Sequence, residues 1–148
     1  MLFKRISRTQ PEVVYVVAKN VSGGTLTAGY SCVWDPGTSA DGVRVTQVTT
    51  NTAPAYAGVA DADIANNDYG LIQVYGYRSS ALITYSSVSI VAGDALGPYS
   101  GNWGLARQAA GTVLVAQTGQ TFAFACEAVA SSSAVAITTT AKVFIRAL

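Results

Sequence analysis

The chain has 148 residues and a formal net charge of +1; half of its residues are hydrophobic and only 11% are charged. This length is typical of one domain, and so high an apolar content excludes an intrinsically disordered chain. A near-neutral charge argues against nucleic acid as a partner, and no run approaches the roughly 18 apolar residues of a membrane span. So few charges favour a packed oligomer or a large assembly over an isolated monomer.

The N-terminal segment is predicted to be an arm over residues 1–12, followed by a single β domain over 13–148. Lys4, Arg5 and Arg8 form the one local basic cluster, which is either a solvated tail or a contact to an acidic surface. The apolar run at 13–18 is too short for a secretory signal, so we expect a soluble protein made in the cytosol.

The remaining sequence predicts short strands separated by turn residues. We expect them at 13–19, 25–26, 30–34, 43–50, 56–60, 69–83, 86–91, 112–116, 122–130 and 134–147. The segment at 97–111 contains four glycines and a proline and is predicted to be one long irregular loop, with at most a helical turn at 105–110. The spacing predicts an all-β fold, a compact sandwich or barrel of about eight to ten short, mainly antiparallel strands.

The strongest pattern is a hairpin over residues 56–83. Its first strand, YAGVA, is followed by an Asp/Asn-rich turn and then by YGLIQVYGYRSSALI, which is rich in β-forming residues. Asp61, Asp63 and Asp68 lie in the turn, where short polar side chains bond to their own backbone. The same residues leave carboxylate chemistry or a calcium site formally open, although the spacing differs from the twelve-residue calcium loop.

Catalytic residues, metal ligands and cofactor-binding residues are not predicted anywhere in the chain. The sequence contains no histidine, which excludes Ser-His-Asp and Cys-His arrangements and the commonest general base. Cys32 and Cys126 are both predicted in strands, either as two buried thiols or as a pair that meets across two sheets. No convincing helix follows the glycines at 97–104, so a phosphate-binding loop is not expected.

Aromatic residues offer two interpretations. Tyr75, Tyr77, Tyr85, Tyr99 and Trp103 are either a stacking platform for a sugar or, as is commoner for aromatics on strands, core and subunit contacts.

The central hairpin, the segment VAGDALGP at 91–98, FACEAVA at 124–130 and the closing AKVFIRAL resemble small capsid decoration (cement) proteins of tailed bacteriophages. The resemblance covers about the C-terminal two-thirds of the chain and implies a β-rich structural protein. Such a protein binds the major capsid protein on the outside of the shell, usually as a homotrimer, after assembly in the host cytoplasm, and it stabilises the virion.

Shell or trimer contacts are expected from the arm residues Phe3, Lys4, Arg5 and Arg8 and from neighbouring strand edges. The alternative is a carbohydrate- or receptor-binding β module of a phage tail or fibre, which would use Tyr99 and Trp103. A hydrolase is the least favoured class, because histidine is missing.

Overall fold

The computed structural model describes residues 12–37, 41–49, 52–85, 88–108, 121–130 and 137–147. Within these ranges the chain is all-β, as predicted, with nine strands and one short 3-10 turn at Ala53–Ala55. The strands are β1 Val14–Asn20, β2 Ser31–Trp34, β3 Arg44–Thr46, β4 Tyr56–Ala60, β5 Tyr69–Tyr85, β6 Ala95–Pro98, β7 Leu105–Arg107, β8 Ala123–Ala125 and β9 Ile137–Arg146.

The nine strands form one sheet that closes on itself twice. Its order is β1-β3-β2-β4-β5-β7-β6-β8-β9, and two further pairings join β1 to β5 and β5 to β9. One closed circuit therefore contains β1, β3, β2, β4 and β5, and a second contains β5, β7, β6, β8 and β9. The pairings are antiparallel except for β1 with β3 and β5 with β7. The architecture is thus closer to the predicted barrel than to the predicted sandwich.

Strand β5 belongs to both circuits because it is 17 residues long. Its first part pairs with β1 from Tyr69 to Tyr75, and its second part pairs with β9 from Tyr75 to Tyr85. The predicted hairpin is confirmed, since Val59 lies opposite Gln73 where β4 pairs with β5.

The sheet packs two apolar cores, and the second also takes Tyr56 and Val59 from β4 of the first circuit. The first contains nine buried residues, and Ile72 and Val74 are the contribution of β5. The second contains twelve, and Ala81 and Ile83 are the contribution of β5. Residues of β5 that point inward are therefore packed in one core at one end of the strand and in the other core at the other end.

Three predicted elements are wrong. Residues 105–107 form β7, which pairs with β6 where an irregular loop with a helical turn was predicted. The long strand at 122–130 is only Ala123–Ala125, and the predicted strand at 86–91 is reduced, in its described part, to a single bridge between Ile90 and Val129. Two of these elements obtain their partners from distant parts of the chain, which local propensity does not reveal. The predicted strand at 112–116 lies outside the described residues.

The change of partner along β5 occurs at Gly76. Its φ is +105°, and a Cβ atom there would lie 2.2 Å from the backbone oxygen of Glu12. Glycine is required at this position for two reasons, the left-handed backbone and the close approach of the chain that leads into β1.

A buried amide stabilises the same bend. Gln73 is 2% exposed, and its Nε2 donates to the backbone oxygens of Gly76 and Tyr77 at 3.2 and 3.1 Å. Just beyond, Arg78 donates from Nη1 to Asp61 Oδ1 at 3.2 Å and from Nε to the oxygen of Ser80 at 3.0 Å. The pairing of β5 with β9 shifts by one residue between Arg78 and Ala81, which is a β-bulge, and these contacts stabilise it.

Replacing Gly76 by alanine is expected to lower the free energy of unfolding by about 2–4 kcal/mol, because strained backbone and steric overlap add. Chemical denaturation measures the change. Gly93→Ala is the matched control, since its φ is +92° but nothing lies within 4 Å of the added Cβ. A loss no larger for Gly76→Ala than for Gly93→Ala would contradict the close approach.

Replacing Gln73 by methionine, which keeps length but removes the donor, is expected to cost about 1–3 kcal/mol of unfolding free energy by leaving buried carbonyls unpaired. The control is Gln108→Met, because Nε2 of Gln108 is buried without a hydrogen-bond partner among the described residues. Urea denaturation of both variants should show a clear loss for the first and little change for the second. Equal losses of unfolding free energy in the two variants would show that the Gln73 amide does not stabilise the bend.

Candidate interaction surface

The outer side of β1 and β5 carries large apolar side chains that face solvent. Val17 of β1 lies opposite Leu71 of β5, and they are 61% and 45% exposed. Tyr15 and Tyr69, which lie two residues before Val17 and Leu71 at opposite ends of the face, are 41% and 63% exposed. Val14 adds to the same surface, because the register shifts between Val14 and Tyr15. We call these five residues the β1–β5 face.

Period-two alternation explains why this face exists. Val16 and Ala18 of β1, and Ile72 of β5, point inward to the first core, so their neighbours in sequence point outward. The outward positions of an exposed sheet are normally polar, whereas here Tyr15, Val17 and Leu71 are exposed apolar or aromatic residues. Lys19 is the charged residue opposite Tyr69, and its Nζ lies 5.9 Å from the centre of that ring.

An aromatic ladder extends this surface onto the second circuit. Phe144 of β9 lies opposite Tyr77 of β5 on one side and opposite Phe124 of β8 on the other. Tyr75 packs edge-on against Phe144 with ring centres 5.2 Å apart. All four rings are only partly buried. The register places these rings on the side of the sheet away from the second core, beside the β1–β5 face.

An ion pair borders the ladder. Lys142 Nζ lies 3.0 Å from Glu127 Oε2, and the backbone N–H of Lys142 donates to Glu127 Oε1 at 2.8 Å. These two hydrogen bonds lower the pKa of Glu127, the backbone bond first, and the bond to Glu127 raises the pKa of Lys142. The border of the surface is therefore polar while its middle is apolar.

The contact residues predicted from the sequence are not among the five residues of the β1–β5 face. Phe3, Lys4, Arg5 and Arg8 lie outside the described residues. Trp103 is half-buried, stacks on Tyr30 with ring centres 5.6 Å apart and packs against the first core.

Tyr99 is also half-buried, in the turn between β6 and β7, where its N–H donates to the oxygen of Gly104 at 3.0 Å. Because Tyr30 stacks on one face of the Trp103 ring, at most the other face of that ring is left for a sugar.

The Asp-rich turn has a structural role in the described chain. Asp63 accepts from the N–H of Ala28 at 2.8 Å, and Asp61 binds Arg78. Asn67 adopts a φ of +69°, which its short side chain tolerates. Among the described residues, no group of three Cys, Asp or Glu side chains is placed to hold a metal ion. No helix in the same residues is long and apolar enough to cross a bilayer.

The two cysteines do not pair, and their burial differs from the prediction. Cys32 is buried in β2, whereas Cys126 follows β8 directly and is exposed. The expectation of two buried thiols is therefore wrong for Cys126, because β8 ends one residue earlier. Burial raises the pKa of Cys32, and partial desolvation, followed by the Glu127 carboxylate, raises that of Cys126.

Comparison with known proteins finds a likeness among solved structures. No protein-family model and no curated protein sequence matches the chain. Among solved structures, the N base of head fibre gp8.5 of bacteriophage phi29 is similar over 92% of this chain and 96% of that chain. The sequence identity is 17% and the TM-score is 0.49. A TM-score below 0.5 does not establish a shared fold, so this likeness has no part in the function proposed below.

One thiol is expected to react quickly with Ellman's reagent in the folded protein, and the second only after denaturation. Because the pKa of Cys126 is raised, less thiolate is present near neutral pH, and the midpoint of its pH–rate profile should lie above that of a free cysteine measured alongside. Cys126→Ser should abolish the fast reaction. Two fast thiols in the folded protein would contradict the burial of Cys32.

Proposed function

We propose that this chain is a structural protein of a phage virion that binds the outside of the major capsid shell as a homotrimer and stabilises the shell. The resemblance of the hairpin and the closing segment to capsid decoration proteins suggests the shell as the binding partner. The observation that supports an interaction role most directly is the apolar β1–β5 face, since exposed patches of this kind usually mark contacts with other proteins.

The closed scaffold suits a protein that acts by binding to other proteins and not by catalysis. Two closed circuits leave few free strand edges along β5, and a closed sheet resists deformation and edge-to-edge aggregation. As part of the proposal, the chain performs no catalysis and needs no cofactor; the absence of histidine from the sequence favours this. A protein that binds only assembled shells would stabilise them by mass action.

The arm is assigned the shell contact. Residues 1–11 contain three cationic side chains and stand two residues before β1 in the sequence. A basic segment of this kind suits an acidic surface and gives an interaction that weakens with salt.

The test uses preformed shells that lack this protein. The full chain is expected to bind at saturable occupancy and to raise the temperature at which the shells are disrupted. A variant in which Lys4, Arg5 and Arg8 are replaced by glutamine keeps the arm but removes its charge, and it should bind more weakly and with less salt dependence. Deletion of residues 1–10 should abolish binding.

Occupancy measured by quantitative electrophoresis of sedimented shells separates the outcomes. Failure of the full chain to bind any intact shell would overturn the proposed function. Full occupancy by the deletion variant would overturn only the role of the arm. The glycan-binding alternative stays a prediction, and loss of glycan binding on Trp103→Ala would support it.

A further inference from the structure

We propose that the β1–β5 face, continued by the aromatic ladder, is the surface on which copies of this chain pack against one another. The partner is a second copy of the same chain, bound through side chains of the two neighbouring strands. This assignment does not require the shell-binding function, because it concerns the free protein in solution.

The exposed area is the first argument. Tyr15 and Tyr69 together leave about 200 Å² accessible, given roughly 150–250 Å² for a whole tyrosine and their exposures of 41% and 63%. Val14, Val17 and Leu71 bring the total to roughly 300–400 Å², which is the size of the largest and often functional patch of a monomer.

A stable interface needs about twice that area from each partner, roughly 800 Å². The half-buried ladder of Tyr75, Tyr77, Phe124 and Phe144 lies next to the face and supplies further apolar surface, with Lys142 and Glu127 as a polar rim. An apolar middle with aromatic residues and a polar border is the usual anatomy of a protein interface.

Charge is the second argument, and it favours a copy over a differently charged partner. The five side chains of the face are uncharged, and the neighbouring Lys19 lies over the Tyr69 ring. The apolar middle of the face offers no complementarity to a strongly acidic or basic partner, and two such middles meet without burying a charge. Lys19 and the exposed Arg146, which lies opposite Tyr75, are the cations beside it. The net charge of +1 adds little repulsion between copies.

The shape of the surface is the third argument. Side chains that alternate along two paired strands form a regular ridge, and two such sheet faces interdigitate at a separation of about 10 Å. Val17 and Leu71, which lie opposite each other in the middle of the face, are the side chains that we assign to the centre of the contact.

The experiment measures mass by sedimentation velocity and equilibrium on the full chain. Val17→Glu and Leu71→Glu each place a charge at the centre of the face, and each is expected to raise the dissociation constant of the oligomer at least 100-fold. The control is Val91→Glu, because Val91 is 54% exposed in the turn between β5 and β6 and belongs neither to the β1–β5 face nor to the ladder. Circular dichroism confirms that all three variants fold, as expected for exposed positions.

A second measurement reports contact directly. In a Cys126→Ser background, Leu71→Cys should react with a maleimide more slowly in the oligomer than after dilution to monomer, whereas Val91→Cys should react equally fast in both. Cys32 does not interfere, because it is buried.

Four results would each overturn the proposal. One is a wild-type chain that stays monomeric at about 100 µM. Another is an unchanged oligomer mass in the Leu71→Glu variant. The third is slow labelling of Leu71→Cys in a monomer, which would mean that residues 1–11 of the same chain cover the face; deleting them would then restore fast labelling. The fourth is slow labelling that appears only on shells, which would assign the face to the capsid.

Discussion

The fold depends on one strand serving two closed circuits. Strand β5 leaves β1 and continues along β9, and the change of partner takes place around Gly76, where the backbone has a positive φ and approaches Glu12. Gln73 pairs its amide with the carbonyls of that bend, and Arg78 holds the following bulge to Asp61. Without this bend, a straight 17-residue strand would not direct its inward side chains into two separate cores.

The same arrangement creates the outer surface. A circuit of strands has one inner side and one outer side, and the two small cores take up the inward residues of β5 and its neighbours. No described helix covers the outer side, so the outward residues of β1, β5, β8 and β9 face solvent or a partner. The two cores are already filled by residues of the opposite parity, so the apolar residues on the outer side, such as Val17 and Leu71, take no part in either core.

Sequence reasoning found the elements whose signals are local. The hairpin of β4 and β5 has strong β-forming residues around an Asp/Asn turn, and the pairing of Val59 with Gln73 confirms it. Strand β7 was missed because three residues between glycines carry no pattern, and its structure comes from pairing with β6 and with Ile83. The strand at 122–130 was overextended because alternation continues beyond Ala125, while the backbone there turns to bond Lys142.

The sequence did not reveal the interaction surface, because which side of β1 is buried depends on its pairing with a distant strand. Along β1 the sequence VYVV is apolar at both parities, so alternation gives no indication of which side is buried, and a doubly apolar strand usually indicates burial on both faces. Only the pairing with β5 shows that Val16 lies inside while Tyr15 and Val17 lie outside. This second apolar side is the one that we propose to be covered by another copy of the chain. Because the net charge is only +1 and the middle of the face carries no charge, contact between two such faces buries no charged group there.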